Sequence, residues 1–137
     1  MSPQVTARKL ALLKTYLQDL RSFEKTVREN HYAVERLIQL IVESMMDILL
    51  HRLAATGLAG PDTYAEVVVR AGEHGLISRE LADSLKLAGR MRNLLVHGYE
   101  GIDLAKMEQA LPIIFRDGEQ FIREVSRWAR PGDEAES

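Results

Sequence analysis

The sequence contains no cysteine. That excludes a disulfide framework and any thiolate-ligated zinc or iron–sulfur centre. Aromatic residues make up only 6% of the chain, and the single tryptophan is Trp128. The four histidines, His31, His51, His74 and His97, show no paired metal-ligand spacing, and no H-E-x-x-H occurs. Glycine-rich phosphate loops, dinucleotide-binding fingerprints and a G-x-S-x-G nucleophile elbow are all missing. The densest apolar stretch, "LIQLIVESMMDILL", is broken by Gln39, Glu43, Ser44 and Asp47 and so argues against a membrane span. "LALL" after the first residues is too short for a secretory signal. A cytoplasmic protein with no membrane association and no cofactor is the expectation. The net charge of −2 gives no global sign of nucleic-acid binding, so any such role must rest on a local patch.

What is present is helical periodicity. The 137 residues are 46% hydrophobic and 28% charged, enough for one core without staples. Leu13, Tyr16, Leu17, Leu20, Phe23 and Val27 recur at three- and four-residue steps and predict a helix over 5–29. Asn30 follows as a cap or joint. A second helix spans 31–55. Between Val34 and Leu53, 12 of 20 residues are apolar, too many for a single stripe. Such a helix is either central in the domain or buries a second face against another subunit. Gly57 can end it, and "GLAGPDT" reads as a loop.

A shorter helix starts at Asp62 or Thr63 and stops before Gly75. Ser78 caps a fourth, with Glu80 in its first turn, where the helix dipole favours an anion. Leu81, Leu85, Ala88 and Leu95 form one face of it, Leu87, Met91 and Leu94 widen that face, and Gly98 ends it. Asp103 caps a short helix ending near Ala110. Pro112 kinks or restarts the chain into a last helix carrying Phe115, Phe121, Ile122, Val125 and Trp128. No strand pattern or repeat is visible. The expectation is an all-α antiparallel bundle of four main helices plus a short one, a single domain over 1–130, with a polar tail at 131–137.

One end of the fourth helix carries an unusual load, "RMRNLLVHGYEG" at 90–101. From Ser84 to Tyr99 the only formal charges are Lys86, Arg90 and Arg92. Cations complement the dipole at a helix C-terminus, which accounts for these three. It does not account for Asn93, His97 and Tyr99 beside them. Asn93 and His97 are four apart and share a helical face. Arg92 and Tyr99 are about 20° from alignment, whereas His97 lies about 140° round the axis from Arg92. The two meet only if the last turn loosens at Gly98 or if two subunits face each other.

An imidazole moves protons at neutral pH, and an arginine holds a phosphate through parallel hydrogen bonds. Together they suit attack of an RNA 2′-hydroxyl on its neighbouring phosphate, with His97 moving the proton and Arg92 stabilising the transition state. A second polar stripe, Glu43, Asp47 and His51, extended by Gln39, runs along the second helix. It is either a solvated edge or the source of a carboxylate, Glu43 or Asp47, that holds Arg92.

These residues resemble a family. "RNLLVHGY" is similar to the Arg-x4-His-x-Tyr signature of HepT-like HEPN-domain toxins, with Arg92, His97 and Tyr99 at its fixed positions and Asn93 at the polar position after the arginine. "HYAVERLIQLIVESMMDILLHRL" and "YAEVVVRAGEHGLISRELADSLKLAGRMRNLLVHGY" resemble the family's second helix and its third and fourth. The resemblance covers most of residues 30–130. It implies a HEPN bundle that forms a homodimer with the two motifs in a shared cleft. It implies a metal-independent RNase with an RNA substrate, the toxin of a type VII toxin–antitoxin pair. The expected partner is an MntA-like minimal nucleotidyltransferase antitoxin, in a larger complex, which silences the toxin by AMPylation of Tyr99. The alternative is a non-catalytic nucleotide-binding HEPN subunit or substrate of a nucleotidyltransferase.

Overall fold

The computed structural model describes residues 3–55, 63–87 and 103–129. The described residues contain helices and turns and no strand. The helices are α1 (Pro3–Ser22), α2 (His31–Ala55), α3 (Tyr64–Glu73), α4, helical over the described residues 79–87, and α5 (Leu104–Ser126).

Side-chain pairs fix the topology. Lys9 near the start of α1 reaches Asp47 late in α2, so these helices are antiparallel. Arg21 at the end of α1 pairs with Glu119 on α5, and its guanidinium lies over the Phe115 ring at 4.3 Å. Ser78 meets Glu124, and Ser84 meets Asp117, so α4 runs antiparallel to α5. The all-α antiparallel bundle read from the sequence is the observed fold.

The core follows the predicted periodicity. Leu13, Leu17, Leu20 and Val27 are buried, with Tyr16 and Phe23 packed against them. α2 begins and ends where its pattern does. Val34, Ile38, Ile41, Val42, Met45, Ile48, Leu49 and Leu53 are buried within this one chain, and Leu37, Met46 and Leu50 pack beside them. α2 therefore takes a central position in the bundle.

Two boundaries differ from expectation. α1 stops at Ser22 rather than continuing to 29. The reversal into an antiparallel neighbour needs non-helical residues, and 23–30 supply them as turns. Phe23 and Val27 keep a helical spacing only because both still face the core, so the pattern conceals the break. Asn30 is a joint rather than a side-chain acceptor: its amide donates to the Thr26 carbonyl, while its own carbonyl accepts from Val34. Arg28 anchors this corner to Glu108 at 2.8 Å, and that hydrogen bond and attraction hold its guanidinium above its ordinary pKa.

The other difference is Pro112. It lies inside a continuous α5 instead of dividing two helices. It faces solvent, as does Glu108, whose carbonyl loses its helical donor, while Met107, Ala110, Leu111, Ile114 and Phe115 keep the buried face unbroken. The missing bond therefore falls on the wet side.

Ser78 and Asp103 act as caps as read, Asp103 for the whole of α5 rather than a short helix, and Thr63 is a further cap. Thr63 accepts from the Glu66 amide, Ser78 from Leu81 and Asp103 from Lys106. Gly75, at φ 73°, closes α3 with Leu76 donating back to the Ala71 carbonyl. The loop after Gly57, the stop at Gly98 and the tail at 131–137 lie outside the described residues.

Candidate functional site

Arg92, Asn93, His97 and Tyr99 also lie outside the described residues. What the structure describes is the helix that leads to them and the partners that hold it. α4 starts at Ser78, and its N-terminus is locked to α5. Glu124 accepts from both the Ser78 amide and the Ser78 hydroxyl, the latter at 2.9 Å, and Gln120 donates to the same carboxylate at 2.8 Å. The carboxylate thus fills the site that the helix dipole makes favourable for an anion. Trp128 adds a bond from its indole N–H to the Leu76 carbonyl at 2.9 Å, and Arg52 lies over its ring at 5.2 Å.

Two turns along α4, Ser84 donates to the Asp117 carboxylate. Asp117 is only 3% exposed. Arg116 closes the group, its Nε 3.4 Å from Asp117 Oδ1 and its Nη2 3.4 Å from Ser84 Oγ. This buried carboxylate was absent from the sequence reading. A signal was there: Asp117 occupies the same helical face as Ile114, Phe121 and Val125, all apolar and buried. Gly118 beside it lets α1 approach, since a Cβ there would sit 2.8 Å from the Leu17 methyls. α4 is therefore tied to α5 at two points before the chain reaches Arg92.

The second predicted stripe divides. Asp47 is exposed and pairs with Lys9 at 3.3 Å, on the outer edge between α1 and α2. Glu43 is half-buried, Gln39 accepts from Arg36, and His51 is exposed. Among the described residues no group of three acids or histidines is placed to share a metal ion. No described helix is long and apolar enough to cross a membrane.

Comparison with known proteins decides the assignment. The profile of the HepT-like ribonuclease family matches residues 7–125. The chain belongs to the HepT-like ribonuclease family. It is a ribonuclease, and the matched range includes all four motif positions. A HepT-like relative, the tRNA nuclease HepT of Aphanizomenon flos-aquae, is 25% identical over 93% of this chain and 92% of its own length. Solved structures share this fold closely. The tri-AMPylated HEPN toxin of Shewanella oneidensis, solved in complex with its MNT antitoxin, has a TM-score of 0.81 at 22% identity, covering 90% of this chain and 97% of that one. The cytosolic protein YutE of Bacillus subtilis has a TM-score of 0.81 at 15% identity, covering 91% and 88%.

Proposed function

We propose that this HepT-like ribonuclease is a toxin that cleaves RNA without a metal, using Arg92 and His97, and that AMPylation of Tyr99 by an MNT-type nucleotidyltransferase silences it. The observation that carries the reading is the family match over 7–125, which runs through "RNLLVHGY" with every fixed position of the signature present. It is supported by the S. oneidensis relative, an AMPylated toxin held by its antitoxin.

The chemistry follows from the residue types. The 2′-oxygen attacks the adjacent phosphorus as its proton leaves for a base. The bond to the 5′-oxygen breaks, and that oxygen takes a proton. The products are a 2′,3′-cyclic phosphate and a free 5′-hydroxyl. His97 exchanges the proton, and Arg92 offsets the charge growing on the phosphorane oxygens. Asn93 orients the phosphate. Glu43, half-buried where Asp47 is exposed, is the carboxylate we assign to hold Arg92.

One histidine per chain supplies half of an acid–base pair, so a homodimer joining two motifs completes it. Leu87 and Ile113, 59% and 44% exposed, offer apolar surface for that contact. Ile113 lies one turn before Asp117, and Leu87 one turn after Ser84.

Silencing is a second group transfer. The Tyr99 phenolate attacks the α-phosphorus of ATP, and pyrophosphate leaves. The attached nucleotide puts negative charge and bulk where the RNA phosphate must sit.

The test is cleavage of a defined RNA in chelator. His97→Ala lowers the rate by about 10²–10⁴-fold with the thermal transition unchanged. Intact mass after co-expression with the nucleotidyltransferase rises in whole AMP steps, and Tyr99→Phe abolishes the rise. Undiminished cleavage by His97→Ala would remove the catalytic assignment.

A further inference from the structure

The acids of α5 are already engaged within the fold, whereas its three arginines face solvent. Asp117 is bound by Ser84, Glu119 by Arg21, and Glu124 by Ser78 and Gln120. Arg116, Arg123 and Arg127 are exposed. Among the described residues neither Arg123 nor Arg127 takes part in a salt bridge. The backbone is helical through Arg127 (φ −67°, ψ −34°). On such a helix the three fall within about 20° of one line and span about 17 Å. Arg116 differs from an ordinary surface arginine. Its side chain is 64% exposed, yet Nε and Nη2 are held from behind by the buried carboxylate and by Ser84. The remaining guanidinium donors point away from that joint. An arginine fixed in this way loses little freedom when it binds a phosphate.

We propose that Arg116, oriented by Asp117 and Ser84, heads a row with Arg123 and Arg127 that grips the phosphates of a single RNA strand flanking the cleavage point. The inference deepens the ribonuclease reading above and rests on it. A chain of net charge −2 cannot attract RNA through its whole surface, so binding must come from a local row of exposed cations. This row is one. A strand laid along it runs along α5, the helix packed against α4, and α4 precedes Arg92 in the chain. The contacts are with phosphate, so they supply affinity and register rather than base preference.

The experiment measures binding of a 2′-O-methylated RNA, which cannot be cleaved, over a salt series. It compares the wild type with Arg116→Gln/Arg123→Gln/Arg127→Gln. A second triple variant, Arg8→Gln/Lys14→Gln/Lys25→Gln, removes the same charge from other exposed positions. Loss of three phosphate contacts makes the slope of log K against log salt shallower by about 2 for a single strand. The expected result is that change in the α5 variant, at least a tenfold weaker Kd at low salt, and a raised KM with kcat little changed. The control variant keeps the wild-type slope.

Equal slopes in the wild type and the α5 variant overturn the row. If that variant instead loses its nucleotidyltransferase while RNA binding is intact, the face is a protein-docking surface and the proposal fails. Cleavage that persists in His97→Ala removes the motif assignment and leaves the binding result standing, so the two readings fail separately.

Discussion

The seam between α1 and α2 and the seam between α4 and α5 are made of different materials. The first is aliphatic. Leu10, Leu13, Leu17 and Leu20 are buried on α1, as are Ile38, Ile41, Met45 and Ile48 on α2, and the Lys9–Asp47 pair that links the two helices is at the rim. The second seam has apolar residues too, but two polar joints cross it, Ser78–Glu124–Gln120 and Ser84–Asp117–Arg116. Aliphatic surfaces are non-directional and tolerate small displacements. A buried carboxylate tolerates none, because a shift of one residue leaves it unpaired. The aliphatic seam therefore holds the bundle together. The polar seam fixes the rotation and register of α4, the helix that leads to the candidate residues.

Breaking the aliphatic core has the largest effect on stability. Phe121→Ala, at a site with no exposure, costs about 3–5 kcal/mol in chemical denaturation, and Leu13→Ala about 2–5 kcal/mol. RNA cleavage by the fraction still folded stays close to wild type. Breaking a polar joint reverses that balance. Asp117→Ala strands Ser84 and Arg116, costs about 1–3 kcal/mol, and slows cleavage by the folded protein. The sharper form is Ser84→Ala/Asp117→Leu, which replaces the joint with apolar groups. It regains stability relative to Asp117→Ala without regaining cleavage. Recovery of both together would mean that the joint has no role in register.

Ser78→Ala removes a helix cap and a Glu124 contact and costs about 0.5–2 kcal/mol by the same denaturation assay. Lys9→Ala is the smallest change. The pair is at the surface, so the loss stays below about 1 kcal/mol and shrinks further as salt is added.

Much of this bundle was legible in the order of residues. α2 matched its pattern at both ends, Ser78 caps the helix it was expected to cap, and Asp103 is a cap as expected, though of a longer helix. These are short-range effects, set by side chains within one turn. The failures came where short-range signals conflict with packing. Phe23 and Val27 carried a helical spacing through a turn. Pro112 carried a break signal through a continuous helix because its missing donor faces water. The motif stretch was equally legible as a sequence, since Arg92, His97 and Tyr99 sit at fixed spacing in the chain itself. Its supports were not, because Ser84 and Asp117 are 33 residues apart and meet only when α4 crosses α5.

Sequence by itself determined the helical class, the caps, the composition of the core and the signature that places this chain among HepT-like ribonucleases. All of these depend on residue type and on separations of a few positions along the chain. Tertiary structure alone decided that α2 is central in the bundle, that Asp47 belongs to Lys9, and that the buried acid of α5 holds α4 and an exposed arginine at once. Those outcomes depend on which helix lies against which, and a one-dimensional pattern of apolar and polar residues does not specify that.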